Sequence, residues 1–449
     1  MKRVITNVMV VTPQKETELI RDGYIEITDD RISAIGEMKD IPSYKKDVTV
    51  FDGKKKIAIP GFVCAHNHMY SAVVRSIPYS GFAQEDFSFA SWMERFWFQK
   101  LENKVNNKDV MTGTLINAIE HVKHGFTTTT DTVEGPNALP GTLFSAGEAA
   151  EMSGIRGVLS FESTGRLSHE NFELGLKENL DFYEAMKKKG GRIEGRIGIH
   201  TTYTVTPEQV KMVRAAADKY GCGIMMHLND SRYHTTDSTL KYGKRPVKWL
   251  EDLGFLGPDV LFFHASYLDI LRDPEILAKY GCKISHQPIS NAMFGFWPNM
   301  VPLITAGIPV ALGTDGMTQS MFEIMRTSQM IHRLRYEELE LLPDKEVFKM
   351  ATINGAKAIQ KEDEIGTLEV GKKADIVLLE NSSPVKVFEA NIWNYLVSVA
   401  DSAHVKAVFV DGTLVVNDGV HQLVDESSVR AECQEQAEDF WKRNDWVTA

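Results

Sequence analysis

The stretch Ile57-Ala58-Ile59-Pro60-Gly61-Phe62-Val63-Cys64-Ala65-His66-Asn67-His68 decides how this chain is read. It is an apolar run of strand length that stops on two histidines two residues apart. On an extended backbone alternate side chains share a face, so both imidazoles project together. That suits chelation of one metal ion, although a lone His-x-His pair also arises by coincidence.

Outward from this run, short apolar segments recur at residues 126–130, 155–161, 196–199, 223–226, 260–263, 282–285 and 308–312, separated by stretches with helical spacing. Together with 57–65 they make eight, the number that closes a parallel barrel. Seven are followed directly by His66, Asp131, Glu162, His200, His227, His264 and His286, and the eighth by Asp315 after Gly313-Thr314. With only 13 histidines in the chain, an ionisable group at every strand end argues for an active site, because catalytic groups in such barrels gather at the carboxyl ends of the strands.

The flanks differ. Residues 2–11 and 23–36 are rich in β-branched residues, with turn signals at Asp22-Gly23, Asp29-Asp30 and Gly36. After a helical stretch from 320 to about 360, strand and turn character returns at 366–379 and in a hairpin through Asp411-Gly412. The expected fold is α/β: a distorted (β/α)8 TIM-like barrel over 57–361, a small β-sandwich from the terminal segments 1–56 and 362–425, and a C-terminal helix within 426–449.

Composition narrows the function. The 449 residues are 43% hydrophobic and 25% charged, enough for a large core. A net charge of −11 and a pI near 5.7 argue against nucleic acid or an anionic membrane as partner. No signal peptide or spanning segment is visible, so a cytoplasmic location is expected. The four cysteines, Cys64, Cys222, Cys282 and Cys433, show no C-x-x-C pairing and read as small core residues.

His227 and Asp315 end two later strands, and with His66 and His68 they form a set of three imidazoles and one carboxylate fitted to one divalent ion, Zn²⁺ first and Fe²⁺ second. His264 is kept for chemistry, because the fourth strand offers His200 with no lysine or cysteine to bridge a second ion. His200 and His286 are candidates to hydrogen-bond a substrate, or equally satisfied structural histidines. Beyond the metal strand an aromatic loop runs from Phe82 to Trp92 and on to Phe96-Trp97-Phe98, and Phe294, Phe296 and Trp297 follow the seventh strand. Trp92 and its neighbours would stack on a planar heterocycle such as a purine, pteridine or triazine, or simply hold the loop on the barrel. Arg75 could bind a ligand oxygen.

These motifs, with Lys241-Tyr242-Gly243-Lys244-Arg245-Pro246, Ser290-Asn291, Gly313-Thr314-Asp315-Gly316 and Gly371-Lys372-Lys373-Ala374-Asp375, resemble the amidohydrolase superfamily over nearly the whole chain. The likeness is to its cytosine-deaminase-like and triazine-hydrolase-like branch, and His68-Met69-Tyr70-Ser71 is similar to the selenium-metabolism-associated aminohydrolases. The resemblance implies that His66, His68, His227 and Asp315 hold the metal, that His264 polarises the reaction centre, that Asn291 lies in the substrate site, and that the protein forms homodimers or larger assemblies. One position departs: family deaminases carry H-x-x-E where this chain has His227-Leu228-Asn229-Asp230. Asp230 offers the carboxylate on a shorter side chain, a loss of reach on the order of 1.5 Å, with a helix cap as its alternative role and His234 as a substitute.

The expected reaction is hydrolytic C–N cleavage on a heterocycle. A bound divalent ion lowers the pKa of water from about 15.7 toward about 7. Asp315 would take the water's proton and Asp230 deliver one to the leaving amine. The rivals are release of another group such as chloride, opening of a cyclic amide, and a noncatalytic metal-binding or assembly protein.

Overall fold

In the computed structural model, which describes residues 2–13, 18–44, 48–77 and 88–446, the opening run divides at Gly61. Ile57–Pro60 belongs to a sheet built from the chain termini, and the barrel begins only with Phe62–Cys64. The single strand expected over 57–65 is thereby corrected. The reason is steric: a Cβ on residue 61 would lie 2.1 Å from Thr127 Oγ1, so only glycine lets the chain cross between the sheets here.

The barrel strands are β1 (Phe62–Cys64), β2 (Phe126–Val133), β3 (Arg156–Ser163), β4 (Ile197–Thr201), β5 (Ile224–Leu228), β6 (Val260–His264), β7 (Lys283–His286) and β8 (Val310–Leu312). They pair in parallel and in sequence order. Closure follows from Ala65 N donating to Leu312 O at 2.9 Å and Thr314 N to His66 O at 3.0 Å. Helices cover the outer face, so most strands are buried on both sides and read as continuous apolar runs; Val260–His264 is buried at every position. The intervening helices start on capping boxes, Asn106 with Asp109 and Thr206 with Gln209. β2 and β3 are longer than expected, and Asp131 and Glu162 therefore lie inside strands rather than just after them.

The terminal strands Lys2–Val11, Leu19–Thr28, Arg31–Glu37, Thr49–Asp52, Ile57–Pro60, Ile376–Leu379, Val405–Val410, Thr413–Asn417 and Val420–His421 form one hydrogen-bonded sheet. It turns at Lys2–Val11, whose first half pairs with Thr49–Asp52 and whose second half pairs with Ile57–Pro60. The two halves close on an apolar layer that includes Ile5, Ile25, Ala58, Ile376 and Phe409, with Phe51 edge-on to Phe409 at 5.4 Å. Asp22-Gly23 is not a turn. Gly23 sits opposite the bulged Val8, and a Cβ there would press on Val10 at 3.0 Å.

At the end of the barrel away from the ionisable strand ends, Arg156 opens β3 and ties barrel to terminal sheet through Asp375 and Asp411. Its side chain is 4% exposed, so removing it strands two carboxylates. Arg156→Ala is expected to cost about 3–5 kcal/mol, read as a lower urea midpoint. The last helix, Glu426–Arg443, packs along Asn107–Lys123: Gln436 and Arg443 donate to Asp109 at 2.6 and 2.8 Å, and Trp441 Nε1 donates to Val73 O at 2.7 Å. It thus braces the segment that follows His68. Among the described residues no helix is long and apolar enough to cross a membrane.

Candidate active site

The carboxyl ends of the barrel strands open into a cavity lined by His68, His227, Asp230, His264 and Asp315 together with Glu134, His200, Trp92, Trp97 and Phe294. β1 runs out into His66 and His68, β5 carries His227, β6 ends on His264, and Asp315 follows β8. His264 and Asp315 hold left-handed backbones, φ 67° and 55°, as does Asn229 at 49°. Non-glycine residues take this conformation at a cost, and such strain collects where side chains must be aimed at a site. Gly313 makes room for the turn into Asp315, since a Cβ there would meet His66 O at 2.9 Å.

Nitrogen and oxygen atoms converge on one point. Asp315 Oδ1 lies 4.0 Å from His66 Nε2 and 3.7 Å from His68 Nε2, and His66, His68 and His227 have ring nitrogens within 4.8 Å of one another. Ligands about 2.1 Å from a tetrahedral ion stand about 3.4 Å apart, so a small contraction closes this set on a metal. Burial holds His66 well below the usual imidazole range and His227 at about 4, which keeps both neutral with lone pairs for a cation. Neither ring nitrogen of the buried His66 has a hydrogen-bond partner among the described residues. Burial works against a charge on His68 too, yet Glu134, Asp315 and Glu162 raise it to about 9. The negative field that favours a proton there also favours a metal cation. His68 Nδ1 faces Thr132 O at 3.0 Å, an outer hydrogen bond of the kind that orients metal-binding imidazoles, and His227 Nδ1 stands 3.1 Å from the Glu162 carboxyl group.

His264 is arranged differently. Asn291 Nδ2 donates to its Nδ1 at 3.2 Å and to Ser266 Oγ at 3.1 Å, so the neutral ring carries its proton on Nε2, the atom 3.8 Å from Asp315 Oδ2. That imidazole is built as a donor toward the cavity, and burial keeps it neutral, near 4. Asp230 lines the same cavity and is 8% exposed. Burial opposes its charge, but the His234 imidazole bonded to Oδ1 holds it ionised well below the usual carboxylate range. His234 is fixed in turn by Thr201 Oγ1 at 3.0 Å.

Three sequence expectations change. Arg75 does not reach the cavity; it pairs with Glu120 at 2.5 Å beside Arg430 of the last helix. His286 is fully buried and turned toward His332, with ring centroids 5.4 Å apart, so it is a core histidine rather than a substrate contact. Asp131 accepts from Met69 N at 2.7 Å and holds the turn after His68. The structure brings His200, Trp92 and Asn291 to the cavity as expected. The segment 82–87 of the aromatic loop lies outside the described residues, but Phe89, Trp92 and Phe294 form one cluster, with Phe294 4.8 Å from Trp92. Sequence reading missed Glu134, one residue beyond the end of β2, and missed that Glu162 stands behind His227. The signal for Glu134 was there: the run Thr127-Thr128-Thr129-Thr130 continues through Thr132-Val133 as β-branched sequence, which places the strand end later.

Residues 57–415 match the amidohydrolase family. Over 98% of both chains the sequence is 31% identical to a 5'-deoxyadenosine deaminase of Methanosarcina mazei. It is 32% identical, over 99% of this chain and all of the relative, to a 5-methylthioadenosine/S-adenosylhomocysteine deaminase of Thermoanaerobacter pseudethanolicus. Among solved structures, an adenosine deaminase of Xanthomonas campestris with bound zinc superposes with a TM-score of 0.87 at 20% identity over 98% of each chain. A triazine hydrolase variant does so with 0.84 at 22% identity over 97% of this chain and 99% of that one. The chain belongs to the amidohydrolase family.

Proposed function

We propose that this protein deaminates an amino-substituted nitrogen heterocycle, with an adenine ring carried on a nucleoside as the first candidate, at a site where His66, His68, His227 and Asp315 hold one catalytic divalent ion, Zn²⁺ before Fe²⁺. The carrying observation is the convergence of those four side chains at the end of a cavity that also presents a donor, His264, and an ionised carboxylate, Asp230. The relatives' names as deaminases of adenosine derivatives point the same way. When bound, the ion supplies a water-derived nucleophile at neutral pH.

The remaining steps belong to the chain. Asp315 accepts the proton of the attacking water. His264 Nε2–H donates to the oxygen that develops on the attacked carbon, a donor held in advance by Asn291. Asp230, ionised at rest, takes up one proton of the attacking water and passes it to the ring nitrogen; the proton held on Asp315 then reaches the departing amine through Asp230, and the His234 contact keeps that carboxylate in place. Trp92, Phe89 and Phe294 stack on the planar base and keep water out of the cavity.

The deciding assay offers 5'-deoxyadenosine, 5'-methylthioadenosine, S-adenosylhomocysteine and amino- and chloro-triazines, and scores ammonia, chloride and ring opening separately. Ammonia from an adenine nucleoside is expected; chloride or ring opening alone would overturn the deaminase reading. Trp92→Ala is expected to raise KM roughly tenfold with little change in kcat, since one stacking contact is worth about 1–1.5 kcal/mol. Asn291→Ala should lower kcat about tenfold or more with metal content unchanged, by freeing the His264 tautomer.

A further inference from the structure

Behind His227 the pocket wall holds three carboxylates, Glu102, Glu134 and Glu162, against one guanidinium, Arg166, which is bonded to Glu102. Glu102, Glu134 and Glu162 are 2%, 4% and 3% exposed, and His200 beside them is 4% exposed. Buried carboxyl groups in such excess share protons, pair with cations or bind a metal. Tyr70 and Trp97 both donate to Glu134 Oε2, at 2.6 and 2.7 Å, leaving Oε1 for another partner. Glu162 finds no donor of acceptable geometry for either oxygen among the described residues, and Glu102 Oε1 finds none either.

Hydrogen-bond accounting at His200 adds a third lone pair. The Thr204 hydroxyl donates to Thr201 O at 3.1 Å, so its oxygen accepts from His200 Nδ1, also at 3.1 Å. With its proton on Nδ1, the imidazole leaves Nε2 bare. That atom faces Glu134 Oε1 at 3.9 Å and Glu162 Oε2 at 3.7 Å. These separations are too long for hydrogen bonds, which end at about 3.2 Å. An ammonium nitrogen hydrogen-bonded at about 2.8 Å would spread its acceptors to about 4.6 Å. A divalent ion with bonds of about 2.1–2.3 Å spreads its ligands to about 3.4–3.8 Å. The observed spacing fits the metal.

We infer that Glu134, Glu162 and His200 form a second divalent-cation site in the pocket wall, with Glu102 as a fourth ligand, distinct from the set around His66. The oxygen-rich ligands favour Mn²⁺ or Zn²⁺. The expectation of a single ion assumed that a second needs a bridging group on the fourth strand. Glu162 on β3 links the two sites instead, through Oε1 to His227 Nδ1 at 3.1 Å.

The test is equilibrium dialysis of the full chain against Mn²⁺, with bound metal measured directly and folding checked by thermal melting. The wild type is expected to bind two equivalents, and Glu134→Gln and His200→Gln one each; the second variant carries the test if the first does not fold. Asp315→Asn should lose one equivalent and keep the other. Wild-type saturation at one equivalent, or two equivalents retained in both wall variants, overturns the second site and leaves the cluster to a shared proton or a substrate cation. Ammonia release is scored apart. Two bound ions without deamination refute only the proposed reaction, and deamination with one ion refutes only the second site.

Discussion

Asp230→Asn is expected to lower kcat at least about 10²-fold, because an amide has the shape of the carboxylate but cannot take up and return a proton. KM and bound metal should change little, since Asp230 lines the cavity without joining the four converging ligand atoms. The side chain is short for the role, and His234 on one oxygen and Thr201 behind His234 compensate by fixing where it points. Steady-state ammonia release with metal analysis on the same sample decides the matter. A near-normal rate would remove Asp230 from the mechanism and turn attention to His234. Asp230→Glu tests reach directly: a gain in rate would mean that the missing methylene limits this enzyme.

Asp315→Asn should be more damaging. Asp315 stands 4.0, 3.7 and 3.8 Å from the nearest nitrogens of His66, His68 and His264, a position from which it would serve both the proposed ion and the water. Its burial disfavours the charge, yet the imidazoles of His68 and His264 and the Ser290 hydroxyl keep it ionised. Loss of several kcal/mol of stabilisation from the ion corresponds to a fall of about 10³-fold or more in kcat/KM, together with loss of metal on dialysis. Retention of a full equivalent at that site with a normal rate would refute the assignment of ligands. His66→Ala is expected to behave alike, since its side chain is fully buried and no solvent group can take its place.

Much of the fold was legible along the chain because its signals are local. Apolar runs of strand length, each closing on an ionisable residue, foretold the eight-stranded barrel, and β-branched alternation at both ends foretold the extra sheet. The family's hydrolytic deamination chemistry was legible too, since its motifs sit at those strand ends. Strand ends were less secure: β2 runs on to Val133, and that small difference hid Glu134 and assigned Asp131 to the wrong place.

By itself the sequence determined the barrel, the terminal sheet and most of the ionisable residues near the strand ends, because periodicity of two or 3.6 residues is set by neighbours in the chain. Only the tertiary structure decided which of them share the cavity. His200 and His286 both sit at the carboxyl ends of their strands, yet one faces the cavity and the other packs on His332. Arg75 pairs with Glu120 on the helix Asn107–Lys123, where Arg430 of the last helix, over 300 residues away in the chain, joins the same carboxylate, and Glu162 comes to stand behind His227 from a different strand. Such partners are chosen by barrel closure and by the helices packed outside it, and those distances are not written in any local pattern.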